Sequence, residues 1–347
     1  MDNIVFSLQK AGGISVYWYE ILKRLCADPR FEVIMLEYDS AKENMFRQQL
    51  DVKCKIIRLD SAIPIQLARF MPVKLPDWIR DDAVFHSSYY RWPSRKLKNI
   101  VTVHDWIYKI YGHGVKDYLH VKQQIDAIKK ANIVACISKS TLNDTSKHVD
   151  LTNKEVRVIY NGCSNVYRIL PGVEKKEQVL FVGGRQSYKN FDKAVESINS
   201  LADKEVSLGI VGAPLNADET AMLQNKLPSR YKSYGRVSNE ELNKLYNQSI
   251  ALLYLSEYEG FGIPVAEAMA AGCPVICLNR SSLTEVAGKA GILLDNVTPK
   301  FVADVIHRLD KDSLYCKRRK DAGVVQSKCF SWNVTYAQMS QLYLKKY

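Results

Sequence analysis

The stretch Ser256–Ile276, "SEYEGFGIPVAEAMAAGCPVI", decides how the chain is read. It follows the apolar run "IALLYL" and leads into "PVICL", two segments of the type expected for buried parallel strands. Between them, Pro264 suits the first turn of a helix and Gly272 suits its end. Two glutamates, Glu259 and Glu267, flank the Gly-Phe-Gly-Ile-Pro turn. Main-chain amides near Phe261, Gly262 and Ile263 would face an anion at the helix start. Glu267, one turn in, would instead accept hydrogen bonds from hydroxyl groups. A ligand carrying both an anionic centre and hydroxyl-rich ends satisfies both features.

Outward from this stretch the same strand–helix alternation recurs twice. Candidate strands of the first half are 3–8, 31–36, 54–59, 83–87, 99–103, 132–137 and 155–160. The second half repeats the style in "QVLFVG", "VSLGIVG", "IALLYL", "PVICL" and "GILLD". Continuous apolar strands separated by helices imply an α/β architecture with two doubly wound parallel sheets. The charged, Pro-Gly segment 167–178 reads as the linker, giving domains 1–170 and 171–330. Residues 331–347 carry Trp332, Tyr336, Met339 and Tyr343 at helical spacing and read as a packing helix.

Composition is that of a globular protein, 47% hydrophobic and 25% charged, without an apolar run near the ~20 residues that span a bilayer. The start "MDNIVFSLQK" lacks a signal peptide's basic region, so a cytoplasmic location is expected. The eight cysteines form no zinc-type pairs and read as reduced thiols. The net charge of +12 divides unevenly: residues 1–170 hold 26 Lys+Arg against 18 Asp+Glu, and 171–347 hold 23 against 19. Acidic partners follow from this, but no nucleic-acid-binding pattern is present. A diphosphate substrate or an anionic membrane face remain.

Open α/β sheets bind ligands beyond the carboxyl ends of their strands, so the strand-to-helix loops matter most. Gly12 and Gly13 form one such loop, where paired glycines permit close approach of a ligand to the backbone. "VGGRQSYKN" brings Arg185 and Lys189, a planar fork of donors and a point charge suited to a diphosphate that gains charge as it leaves. His104 and Asp105 end the central strand "NIVTV", where a histidine can face the crevice; His86 ends "AVFHS" and reads as structural. His113, His120, His148 and His307 read as incidental, and Asp310 with Asp312 as a helix end.

With these residues in place, the chain resembles the retaining, nucleotide-sugar-dependent glycosyltransferases of family four, bacterial surface-polysaccharide enzymes among them. The resemblance rests on Glu259 and Glu267 with seven residues between them, the downstream "SSLTEVAG", the Gly12–Gly13 pair, His104–Asp105, "CISKST", "NG" at 161–162 and "VGGRQSYKN". It implies the GT-B fold, two Rossmann-like domains facing across a cleft, with the last helix crossing back to the first. It further implies that Glu267 holds the ribose of the donor, Glu259 the transferred sugar, and Arg185 and Lys189 the leaving diphosphate. Gly13 would approach that diphosphate, and His104 would contact the donor sugar. Retention of configuration without a metal or other cofactor is also implied. GDP-mannose is the first expected donor, with UDP-hexoses and dTDP-rhamnose open, and a lipid-linked glycan the expected acceptor. A sugar-nucleotide epimerase, a phosphorylase and a non-catalytic sugar-nucleotide binder stay as alternatives.

Apolar and basic residues mix in "IPIQLARFMPVKLPDWIR" (63–80), and "YYRWPSRKLK" adds Arg91, Arg95, Lys96 and Lys98. Together they predict weak peripheral contact with anionic lipid.

Overall fold

The computed structural model describes residues 1–51, 54–60 and 63–345. The last two positions of the expected closing helix, 346 and 347, fall outside them. The chain divides into two compact units, 1–161 with 332–347, and 162–331.

Among the described residues, the first unit holds six parallel strands: β1 (Ile34–Glu37), β2 (Lys55–Arg58), β3 (Val84–Ser87), β4 (Lys98–Val103), β5 (Ile133–Cys136) and β6 (Glu155–Val158). They form the ladders β1-β2 and β3-β4-β5-β6, and Asp2 bridges Leu36 of the first to Ser87 of the second. The expected strand 3–8 is corrected here. Ile4 turns into right-handed helical geometry, and Val5–Leu8 form a single helical turn. Two ties divert the chain: Asn3 donates to Glu37 Oε1 at 2.8 Å, and the Val5 amide donates to Ser88 Oγ at 2.9 Å. An apolar run this short cannot distinguish strand from buried helix by its pattern. The Gly12–Gly13 pair therefore follows a helical turn rather than a strand.

The second unit carries β7 (Gln178–Val182), β8 (Ser207–Val211), β9 (Tyr231–Gly235), β10 (Ala251–Tyr254), β11 (Val275–Leu278) and β12 (Ile292–Leu294). Their order is β12-β11-β10-β7-β8-β9, all parallel. Strand order reverses between β7 and β10, which puts a ligand-binding crevice beyond the carboxyl ends of those two strands. β9, "YKSYG", has no apolar run because it is an edge strand with residues exposed to solvent.

The domain boundary differs from the expected one. Residues 162–170 belong to the second unit, where the Arg168 and Leu170 amides donate to Asn243 and Asn247 and Tyr167 donates to Asn239. The closing helix Trp332–Leu344 belongs to the first unit: Trp332, Met339, Leu342 and Tyr343 share a core with Ile21 and Leu22. His86 is fully buried in that unit, bonded to Tyr343 Oη at 2.9 Å and Thr102 Oγ1 at 3.0 Å, a structural role. All eight cysteines are free, three of them buried.

Candidate functional site

In the second unit, both loops at the switch point carry residues singled out by sequence. After β7 the chain turns through Gly183 and Gly184 to Arg185, then through the short turn Ser187–Lys189 to the helix Phe191–Asn199. After β10 it runs through Glu259 to the helix Ile263–Ala270. Asn190 joins the two loops, donating to Leu255 O at 2.8 Å and Glu257 Oε1 at 3.1 Å.

Lys189 Nζ is bonded to Glu259 Oε1, and both side chains are largely buried. From the sequence these two residues have separate tasks, whereas the fold makes them each other's counter-ion. Lys189 also lies over the Tyr254 ring at 5.5 Å. Arg185 is 6% exposed at its side chain and is drawn toward the helix Ala217–Lys226. Its Nε donates to Glu219 Oε1 at 2.8 Å, and its Nη2 donates to the carbonyls of Ala213 and Pro214. Burial alone would raise the Glu219 carboxyl, but the Arg185 bond and the Asn216 amide outweigh it and hold it below its ordinary range. One donor, Arg185 Nη1, is buried and meets no partner among the described residues. Orphaned buried donors are rare, and this one is a group an anionic ligand could satisfy.

The turn into Ile263–Ala270 depends on Gly262, whose φ of +95° favours glycine. A Cβ there would meet Leu283 Cδ2 at 2.8 Å. Ser282 Oγ donates to the carbonyls of Glu259 and Phe261, and Ser281 Oγ accepts the Glu259 amide at 3.0 Å, so the "SSLTEVAG" segment holds the loop's shape. Phe261 is buried edge-on against Phe330, 5.3 Å between centroids. Its role is that of an anchor beneath the Gly262 and Ile263 amides, which meet no acceptor among the described residues.

Glu267 lies one turn into the helix, within 3.3 Å of the Tyr246 hydroxyl. Tyr167 is a second hydrogen-bonding neighbour. The residue keeps partial exposure, but protein surrounds its carboxyl, and this burial pushes it up to about 7 against the two tyrosine hydrogen bonds. Sequence reasoning missed both tyrosines. They sit in a linker and in a helix far from the glutamate, and only the fold brings them together.

In the first unit, His104 follows β4 and is 6% exposed. Its ring stands edge-on to Tyr17 at 5.1 Å and makes no hydrogen bond among the described residues. Burial lowers it to about 3, so it is a neutral imidazole at physiological pH. Its backbone amide donates to Tyr90 Oη at 3.2 Å. Asp105 shapes the same loop: Oδ1 accepts the Ile107 amide at 3.0 Å, and its carbonyl accepts Gln124 Nε2 at 2.8 Å. Gly12 is extended at φ 166°, and Gly13 is the first residue of the helix Gly13–Leu25.

The cations expected to face lipid are corrected. Arg91 is buried against Asp2, Arg95 donates to Asp81 and the Ile79 carbonyl, and Lys98 donates to the Leu342 carbonyl. Lys96 alone of the four is exposed. Leu67, Met71 and Trp78 of segment 63–80 are exposed as well. No helix among the described residues is long and apolar enough to cross a membrane. Asp312 caps the helix Ser313–Ser327 through the Tyr315 amide.

Each unit is a parallel α/β sheet, and the second carries cationic and acidic loops at its switch point, the place where open sheets bind ligands. Comparison with known proteins gives the family. Residues 11–164 match the model described as Glycosyltransferase Family 4, and residues 168–324 that of Glycosyl transferases group 1. The chain belongs to the family four glycosyltransferases. It is 24% identical to an O-antigen chain mannosyltransferase B of Escherichia coli, over 95% of each protein. Its fold resembles Anabaena HepE, solved with UDP and glucose, at TM-score 0.76 and 14% identity over 96% of each chain. It also resembles WaaG, a glycosyltransferase involved in lipopolysaccharide biosynthesis, at TM-score 0.70 and 14% identity over 96% of this chain and 97% of that one. These likenesses show the GT-B fold.

Proposed function

We propose that this glycosyltransferase moves a hexose from a nucleotide sugar to a lipid-linked glycan, with retention of anomeric configuration and without a metal. The observation that carries the reading is the group at the second unit's switch point: Lys189 paired with Glu259, the Gly262 turn with its unengaged amides, and Glu267 one helical turn away. A nucleotide diphosphate can compete with Glu259 for Lys189, freeing that carboxylate for the sugar's hydroxyls. Arg185 Nη1 offers a further donor to the phosphates. Glu267 takes the ribose. His104, neutral and unengaged, donates or accepts a hydrogen bond at the transferred sugar and carries no charge to the reaction. Gly12 and Gly13 leave the backbone open to the donor's approach.

GDP-mannose is the first donor to test, supported by the E. coli mannosyltransferase; UDP-hexose stands second, supported by the nucleotide bound to HepE. O-antigen or capsule assembly at the cytoplasmic membrane face is the corresponding process, with peripheral contact through the exposed Leu67, Met71 and Trp78. Transfer from each nucleotide sugar to a lipid-linked glycan extract, with proton NMR of the new anomeric centre and a parallel reaction in EDTA, tests the proposal. A retained α-configuration and undiminished rate are expected. An inverted product, release of sugar without an acceptor, or loss of activity in EDTA would overturn it.

A further inference from the structure

A polar cluster at the carboxyl end of the first unit's sheet, apart from the donor loops, contains an arginine with no counter-ion among the described residues. Arg69 ends the turn Ile65–Ala68. Its Nε and Nη2 donate to Gln123 Oε1 at 3.2 and 3.1 Å, and Nη2 lies 2.9 Å from His120 Nδ1. An arginine has no lone pair to offer, so Nδ1 is the acceptor and His120 carries its proton on Nε2. Burial first, and Arg69 second, lower His120 to about 3, in agreement with a neutral ring.

Both partners of the guanidinium are therefore uncharged. No carboxylate lies within ion-pair distance of Arg69 among the described residues, and its Nη1 donates to none of them. Asp105 and Asp117 are near enough to act on Tyr89 and His120, but neither pairs with Arg69.

The cluster is firmly built. The guanidinium sits over the Tyr89 ring at 4.6 Å, and Gln123 Nε2 donates back to the Arg69 carbonyl at 2.6 Å and to the Tyr90 carbonyl at 3.2 Å. Gln123 and His120 are buried on the helix Val115–Lys130, a face that an amphipathic pattern would fill with apolar side chains. Tyr90 is held at φ +49°, a conformation costly for an aromatic residue, and its hydroxyl accepts the His104 amide. Exposed Tyr108 lies with its ring tilted against His120, 4.1 Å between centroids, and forms the rim. A partly desolvated arginine fixed by neutral acceptors is poised for an oxyanion.

We propose that Arg69, on its Tyr89–His120–Gln123 platform, forms a phosphate subsite of the first unit that takes the mono- or diphosphate group of the acceptor. This rests on the glycosyltransferase reading for the word acceptor, but not for the phosphate chemistry. Backbone continuity links the subsite to His104: Tyr89 and Tyr90 follow β3, and His104 follows β4.

Isothermal titration of inorganic pyrophosphate into the protein saturated with GDP or UDP tests it, since the nucleotide occupies the donor loops. One residual binding event is expected in the wild type. It should weaken at least tenfold in R69Q, and equally in Y108E, which adds a carboxylate at the rim and keeps the arginine should R69Q fold poorly. Absence of binding to the nucleotide-saturated wild type, or wild-type affinity in both variants, would overturn the subsite. Should neither nucleotide bind, the donor assignment fails on its own, and pyrophosphate titrated into nucleotide-free wild type, R69Q and Y108E still decides the subsite. A hexose 1-phosphate in solution and a polyprenyl diphosphate in mixed micelles separate the two sources of the group. Tighter binding of the micellar lipid is expected, and the reverse order would overturn a lipid-linked source.

Discussion

Replacing Glu267 by glutamine should strengthen the fold at alkaline pH while removing nucleotide binding. Burial raises the Glu267 carboxyl from 4.5 to about 7 in the folded protein, so the fold favours its protonated form. Below pH 4.5 the group is protonated whether the chain is folded or not, and nothing is lost. As pH rises through the folded value, the carboxylate must ionise in a site that disfavours it, and stability falls. At about 1.4 kcal/mol per pH unit the full loss above pH 7 approaches ~3 kcal/mol, and the residue's partial exposure reduces it to about 1–3 kcal/mol. Glutamine cannot ionise, but its carbonyl oxygen can still accept from Tyr246 and Tyr167. E267Q is thus expected to melt about 2–12 °C above the wild type at pH 8.5 and within a degree of it at pH 4.5, using about 2–4 °C per kcal/mol for a unit this size. Differential scanning calorimetry at the two pH values reads the effect, and GDP or UDP titration at pH 8.5 reads the loss of binding. Equal destabilisation of E267Q at both pH values would refute the reasoning, because the carboxylate would then be a favourable structural group.

Three further outcomes follow from the same geometry. H104A should lower kcat at least a hundredfold with nucleotide affinity unchanged, and the wild-type rate profile should show no inflection from this histidine between pH 5 and 9, since burial holds it near 3. K189A should weaken nucleotide diphosphate binding and leave Glu259 largely buried without its partner; urea denaturation should show a loss of about 1–3 kcal/mol, with E259Q/K189M recovering part of the stability but none of the transfer. G262A, forced to φ +95° with its methyl 2.8 Å from Leu283 Cδ2, should cost about 1–3 kcal/mol in the same assay and weaken donor binding. A G262A protein of wild-type stability would mean that the loop has another accessible shape.

Where strands are buried on both faces, the sequence revealed them. "IALLYL" and "PVICL" became β10 and β11 because parallel central strands are apolar throughout. The same criterion failed at two places. "NIVFSL" is as apolar as a strand but leaves the sheet at Ile4, since Asn3 and Val5 find side-chain partners in Glu37 and Ser88. "YKSYG" is a strand without the pattern, because an edge needs fewer buried side chains.

The site was legible as a set of residue types in loops. Its pairings were not: Lys189 meets Glu259 across 70 positions and Tyr246 meets Glu267 across 21, with no local signal for either. Arg91 illustrates the reverse error, a cation in a basic run that the fold buries against Asp2. His120, read as incidental, became informative once Arg69 was found beside it.

The most direct test of the central claim, that the second unit holds a nucleotide sugar between Lys189, Glu259 and Glu267, is a thermal-shift panel. GDP-mannose, UDP-glucose, UDP-galactose, UDP-N-acetylglucosamine and dTDP-rhamnose, each at millimolar concentration, would be compared on wild type and E267A. A ligand at a hundred times its Kd stabilises the folded state by about 2.7 kcal/mol. One donor is expected to raise the wild-type melting temperature by several degrees and to leave E267A unmoved. A panel in which no nucleotide sugar shifts the wild type, or in which E267A shifts equally, would contradict the account.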